Sequence, residues 1–238
     1  MTEVILTSYF ATRKDPQRNL FVGKDNFAYI EPWYLSMKNA GLHGIIFHDH
    51  LSPEFVSKYT TPDIKFQKVD LTKYKCTSLC VLRFFVYKDY LQTLSATEKP
   101  RKLFMTDVSD VTVVQSPFKF VVNPDAIYVG DEPKTNGSSK WMEKDYKNAH
   151  LPYEFMKNEM ILNAGVVGGF YCPTMLLLML MCDHFATMPD SDANCDMATL
   201  NFCIRTNWSK ENIICGSPLN SVYKNFENQR QDVFFIHK

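Results

Sequence analysis

Four short strand-like runs, each separated from the next by polar or helical sequence, organise the first half of this chain. Val4-Ile5-Leu6-Thr7-Ser8-Tyr9, Gly44-Ile45-Ile46-Phe47-His48, Phe66-Gln67-Lys68-Val69-Asp70 and Leu103-Phe104-Met105-Thr106 have the length and β-branched or aromatic content of buried strands. Between them, residues 33–39 have helical spacing and stop at Gly41. Residues 78–94 place Leu79, Leu82, Phe85, Val86 and Leu91 on or near one side of a strong helix. Strands that alternate with helices imply a mostly parallel sheet covered on both faces. Ligands of such sheets sit beyond the carboxyl ends of the strands.

The fourth run ends in Asp107-Val108-Ser109-Asp110 and then resumes as Val111-Thr112-Val113-Val114. Carboxylates inside an apolar stretch are costly unless a cation or donor meets them. Oxygen ligands at a strand end suit a divalent ion that also holds phosphate oxygens. Taken alone, the segment reads equally well as a capped loop. Its neighbours at the same sheet edge raise the first reading: Thr7 and Ser8 follow the first strand, and Asp49 follows the second. Arg83, at the apolar end of a buried helix, needs an acceptor, either a phosphate or a carboxylate. His48 and His50 alternate around Asp49 and so share a face; the favoured reading is a strand terminus hydrogen-bonded to a loop.

The second half is less regular. Residues 126–129 read as a strand, and residues 131–147, polar and containing glycine and serine, read as a loop. Asn163-Ala164-Gly165 with Gly168-Gly169 would let backbone approach a ligand, with a tight bend between strands as the simpler expectation. The run 175–182 follows Pro173 and reads as a buried helix. Three acids at 190, 192 and 196 precede a helix-like segment at 197–202, and the chain closes on Val233-Phe234-Phe235-Ile236-His237-Lys238.

A chain of 238 residues, 45% apolar and 14% aromatic, has ample material for one well-packed domain. Its 26 basic and 26 acidic residues cancel, which argues against broad binding to nucleic acid or anionic membrane. Seven cysteines without a CxxC pair argue against structural zinc and against a disulfide framework. Free thiols and the lack of an export signal or a 20-residue apolar span point to a cytoplasmic protein. No GxGxxG turn, P-loop or GxSxG elbow is present, which disfavours nicotinamide, flavin and serine-hydrolase chemistry.

These pieces occur in a familiar order. The sequence resembles glycosyltransferases of the GT-A fold, in particular glycogenin-like and blood-group-transferase-like enzymes and small glycosyltransferase domains of large DNA viruses. The resemblance spans Val4 to Lys238. It implies an α/β chain with a Rossmann-like nucleotide-binding half over about residues 1–125, merged with a smaller acceptor-binding half over about residues 126–238. It also implies transfer of a hexose or deoxyhexose from a UDP-sugar donor to a glycan or other hydroxyl acceptor, with Mn²⁺ or Mg²⁺ as cofactor.

Carried over residue by residue, the resemblance gives Thr7, Ser8 and Tyr9 to the nucleoside, Asp49 to the base and Arg83 to the donor. The acidic motif is usually DxD; here Asp107 and Asp110 stand one residue further apart, and Asp110 is favoured over Ser109 because a carboxylate binds a hard cation better than a hydroxyl. Asn163, Ala164 and Gly165 match the segment beside the donor sugar, Asp196 the acid near the anomeric carbon, His237 the last metal ligand and Lys238 a diphosphate contact. Relatives often have Gln where Met197 stands, and they continue past the histidine, so this chain would fit a domain excised from a longer protein. Asp196 would be the base of an inverting enzyme or would stabilise the cationic centre of a retaining one, and the resemblance tilts toward retention. Trp141 would either stack on an acceptor sugar or pack as an ordinary core residue. The alternatives are a non-catalytic nucleotide- or sugar-binding module on the same fold, and a metal-dependent phosphohydrolase using His48 and His50.

Overall fold

The computed structural model describes residues 3–15, 20–75, 78–188 and 194–238. Of the features singled out above, the acids at 190 and 192 lie outside the described residues, as does one of the seven cysteines, Cys76.

The strands are β1 (Glu3–Tyr9), β2 (Lys14–Asp15), β3 (Leu20–Phe21), β4 (Gly44–His48), β5 (Ile64–Lys68), β6 (Lys102–Thr106), β7 (Val111–Val113), β8 (Ile127–Thr135), β9 (Met160–Phe170), β10 (Ile213–Ile214) and β11 (Phe235–His237). The helices are α1 (Phe27–Asn39), α2 (Pro53–Tyr59), α3 (Leu79–Thr93), α4 (Lys140–Asn148), α5 (Tyr171–Thr187) and α6 (Asp196–Asn207). Seven strands form the central sheet in the order β10-β8-β9-β6-β1-β4-β5. Every adjacent pair is parallel except the two that β9 makes, with β6 and with β8. The alternation of strands and helices in the first half therefore produces the mostly parallel sheet expected of it.

Side-chain alternation along the strands feeds two cores. Val4 and Leu6, Ile45 and Phe47, and Leu103 and Met105 pack on one face with α3, α4, α5 and α6. Ile5, Ile46 and Phe104 pack on the other with α1, α2 and the small β7–β11 sheet. A strand buried on both faces has no polar alternation to show, which is why these strands read as continuous apolar runs.

Three expectations are corrected. Residues 131–147 are not a loop: β8 runs on to Thr135, a single 3₁₀ turn follows, and α4 begins at Lys140. The glycine-interrupted segment is not a bend but an eleven-residue strand, β9. Its Gly168 serves close strand packing, since a Cβ there would fall 2.7 Å from Phe104 Cα on β6. The third strand starts two residues earlier than its apolar run suggested, at Ile64. Between it and β4 lies α2, opened by Ser52, which accepts the Phe55 amide, and by Pro53.

Candidate active site

The site forms where β6 ends. Trp33 Nε1 donates to Thr106 Oγ1 at 2.8 Å, and Thr7 Oγ1 donates to the Thr106 carbonyl at 2.8 Å, so the last residue of the strand is fixed from both sides. The Asp107 amide then donates to Gly165 O at 3.0 Å. Opposite, the β8–β9 register jumps from Val129 facing Val167 to Gly130 facing Asn163, so residues 164–166 bulge out of that ladder. A bulge bends a strand and re-aims what it carries. Here it brings Gly165 against two functional groups: a Cβ at this position would lie 2.6 Å from His237 Nε2 and 3.0 Å from Asp107 Oδ2. Only glycine leaves that space.

His237 arrives from the far end of the chain. β11 pairs antiparallel with β7, with His237 opposite Val111, the residue after Asp110. The His237 amide donates to Ser221 Oγ at 3.1 Å, and the Lys238 amide donates to Asp110 O at 3.0 Å. One ligand atom each from Asp107, Asp110 and His237 lie within 4.8 Å of one another. Burial lowers the His237 pKa to about 4, with Asp107 acting in the opposite sense, so its imidazole is neutral and has a lone pair to offer at neutral pH. His237 Nε2 and Asp107 Oδ2 stand 4.0 Å apart, close enough for both to serve a single ion. Two carboxylates and one imidazole suit a first-row divalent ion or Mg²⁺. By chemistry and by spacing, the residues fit the metal that the sequence resemblance implies.

Arg83 binds the site together from α3. Its guanidinium pairs through Nη1 with Asp107 Oδ1 and through Nη2 with Asp196 Oδ2 at 3.1 Å, while Nε donates to Cys80 O at 3.1 Å. The acceptor it needed is thus a pair of carboxylates. The two acids hold the guanidinium pKa well above its ordinary value against the cost of burial. Asp196 is only 2% exposed, and burial drives its carboxyl upward while Arg83 opposes.

Beyond this ion-pair chain lies a cavity of about 330 Å³. Arg83, Asp107, Asp110, His237, Asn163, Ala164, Gly165, Asp196 and Met197 line it. Glu132, Lys134, Trp141, Asn194, Tyr223 and Lys224 complete it. Asn163 is fully engaged: its Nδ2 donates to Glu132 Oε1 at 2.8 Å and its Oδ1 accepts the Gly165 amide at 2.7 Å. Burial raises the Glu132 pKa, opposed by this hydrogen bond and by Lys134 and Lys224. The Tyr223 ring packs against His237 at 4.5 Å between centroids. Lys224 sits next to it in the left-handed region, at φ +60°.

No protein-family model matches the sequence, and no curated protein sequence does. Structural comparison finds the galactosyltransferase LgtC, solved with donor and acceptor sugar analogues, at a TM-score of 0.57 over 98% of this chain and 86% of that one, with 13% identity. A Gln-to-Glu active-site mutant of the same enzyme matches equally well. The chain has the GT-A fold. At this identity the likeness speaks for architecture alone; the chemistry rests on the side chains above.

Within the GT-A frame, eight of the residues expected from sequence meet at the cavity: Arg83, Asp107, Asp110, Asn163, Ala164, Gly165, Asp196 and His237. Five do not line it. Thr7 supports Thr106 from below. Ser8 lies near the buried Tyr87 hydroxyl. Tyr9 is buried, with its hydroxyl donating to Gly23 O and accepting the Asn26 amide at 2.9 Å. Asp49 accepts the amides of Ala11 at 2.8 Å and Thr12 at 3.0 Å, and the Thr12 hydroxyl. Lys238 contributes its backbone to Asp110, and the lysines that line the cavity are Lys134 and Lys224. His48 accepts the Leu51 amide at 3.3 Å, and neither it nor His50 reaches the cavity. Sequence reasoning missed Glu132, Lys134, Tyr223 and Lys224, none of which sits in a motif. Trp141, left open between stacking and packing, is 44% exposed at the cavity wall.

Proposed function

We propose that this chain is a metal-dependent glycosyltransferase that moves a sugar from a UDP-sugar to a hydroxyl acceptor, with residues up to about 125 forming the nucleotide half and the remainder the acceptor half. The observation that carries the reading is the convergence of Asp107, Asp110 and His237 at the carboxyl end of β6, beside Arg83 and on a GT-A fold. In the transfer, the bond between the anomeric carbon and the diphosphate oxygen breaks, the acceptor oxygen bonds to that carbon, and the acceptor proton passes to the departing diphosphate. The departing diphosphate carries the charge that must be stabilised, and a divalent ion held by Asp107, Asp110 and His237 would act on it as a Lewis acid.

The chain's own groups do the rest. Lys224 adds a cation on the His237 side of the cavity, taking the part expected of Lys238. A lysine held in the left-handed region is strained, and such strain concentrates at functional sites. Arg83 fixes the orientation of both Asp107 and Asp196. Arg83 holds Asp196 through Oδ2 while Oδ1 has no hydrogen-bond partner, so that oxygen is the one placed to stabilise a cationic anomeric centre, in keeping with retention. Trp141 offers an exposed ring on the acceptor side. Asp49 ties down the loop after β1 that would receive the nucleoside, and Thr7, Ser8 and Tyr9 stand at the strand end that leads into it.

Calorimetry of UDP binding with and without Mn²⁺ tests the reading. Binding should require the ion and disappear in Asp107→Ala and Asp110→Ala; metal-independent binding that survives both substitutions would sink it. Transfer across a panel of UDP-sugars, with the product anomer assigned by NMR, separates an enzyme from a binding module and retention from inversion.

A further inference from the structure

Helix α6 begins at the cavity wall with Asp196 and Met197, yet Cys195, the residue before it, gives no side-chain cap to its first turn. The cap comes from another helix. Asp145 on α4 is 4% exposed, and its Oδ2 accepts the Ala198 amide at 2.8 Å. That amide belongs to the third residue of α6, the group an N-cap side chain ordinarily satisfies. Asp145 does not line the cavity. It stands behind the two residues that do.

The start of α6 matters to more than its own hydrogen bonds. Met197 Sδ accepts the Ala164 amide at 3.2 Å, so the first turn touches the bulge of β9 that carries Gly165. One turn further on, Asn201 clamps α6 to β9 independently: its Oδ1 accepts the Leu162 amide and its Nδ2 donates to the Leu162 carbonyl, both at 2.8 Å. The body of the helix is therefore anchored without Asp145, and only the cavity-facing turn depends on it. Trp141 lies four residues before Asp145 on the same face of α4, so one helix presents the ring to the cavity and the cap to α6.

We propose that Asp145 is the positioning residue for the sugar-facing start of α6, holding Asp196 and Met197 in register with the donor, and that it acts as a hydrogen-bond acceptor and not as a charge. The role given to Asp196 rests on the transfer reading above. Two buried carboxylates meet at the same helix end, and the guanidinium of Arg83 is already shared between Asp107 and Asp196. Burial and then the proximity of Asp196 both push the Asp145 carboxyl upward, in keeping with a group needed for its oxygen.

The test compares Asp145→Asn, which keeps an acceptor oxygen and abandons the charge, with Asp145→Ala, which loses both. In protein labelled at the methionine methyls, the Met197 signal, assigned through Met197→Leu, should shift in Asp145→Ala and hold its wild-type position in Asp145→Asn. Donor turnover should fall about 10- to 100-fold in kcat in Asp145→Ala, with KM little changed, and should be retained in Asp145→Asn. If Asp145→Ala does not fold, Asp145→Ser, whose hydroxyl is too short to reach Ala198, takes its place. An unmoved Met197 signal in the alanine or serine variant overturns the proposal, as does equal impairment in the asparagine variant. A wild-type protein that ignores UDP would instead count against the transfer reading, and the Met197 signal would still decide the role of Asp145.

Discussion

The two flanks of β6 treat polar residues in opposite ways. On the β1–β4 side, the groups at the strand ends are satisfied by neighbouring backbone: Asp49 takes the Ala11 and Thr12 amides, Tyr9 the Asn26 amide, and Thr7 donates to the Thr106 carbonyl. On the β9–β11 side, polar groups meet one another. Asp107 faces His237 and Arg83, Arg83 faces Asp196, and Asn163 faces Glu132. Carboxylates that accept from backbone amides build a loop. Carboxylates clustered with a neutral imidazole and one shared guanidinium are satisfied only in part, and a cation and phosphate can complete the arrangement. Position at the sheet edge alone does not distinguish the two cases; the partners do.

The largest effect should come from taking away the shared cation. Arg83→Leu would leave Asp107 and Asp196 without their counter-charge, and breaking a buried pair typically costs about 3–5 kcal/mol. Urea denaturation should show a loss of that size, partly recovered when Asp196→Asn is added. A loss under about 1 kcal/mol, as for an exposed pair, would mean that the two flanks are not so different.

The second prediction concerns pH. The folded-state pKa of His237 lies near 4 against about 6.5 when unfolded, so between these values the unfolded chain binds more protons. The contribution of this residue is complete above about pH 6.5 and is lost as the pH falls toward 4, to a limit on the order of 3 kcal/mol. The difference in stability between wild type and His237→Gln should therefore narrow across that window, provided the ion is removed with chelator. A difference that stays constant from pH 7 to 4 would contradict the burial of a neutral imidazole.

The same contrast explains what the sequence could reveal. The central parallel strands β1, β4 and β6 were legible because burial on both faces leaves unbroken apolar runs, and Asp107, Asp110 and Asn163 were legible because they interrupt such runs. Helix α4 was not. Its buried residues Met142, Asp145 and Tyr146 sit among lysines and glutamate after Gly137-Ser138-Ser139, so composition pointed to a loop while spacing carried the helix. Asp145 could not be recognised at all, because the amide it caps lies 53 residues away. Likewise Lys224 and Tyr223 belong to no motif; the pairing of β11 with β7, and of Asn220 and Ser221 with β11, brings their turn beside Asp107 and Asp110. Residues that meet across distant segments leave no local pattern to read.

The smallest effect tests the satisfied flank. Asp49→Ala removes an acceptor that ties the loop after β1 in place, a partly exposed arrangement whose loss should cost about 1 kcal/mol. If Asp49 acts on the nucleoside only by shaping that loop, the melting temperature should drop by a few degrees and UDP affinity should weaken less than about tenfold, against its disappearance in Asp107→Ala. If the carboxylate itself meets the base, affinity should fall well beyond what the stability change explains, and restoring the loop with Asp49→Asn should not bring it back. Asparagine keeps one acceptor oxygen for an amide but surrenders the charge. Recovery of UDP binding in that variant would therefore assign Asp49 to the loop, and place the working chemistry entirely on the β9–β11 side.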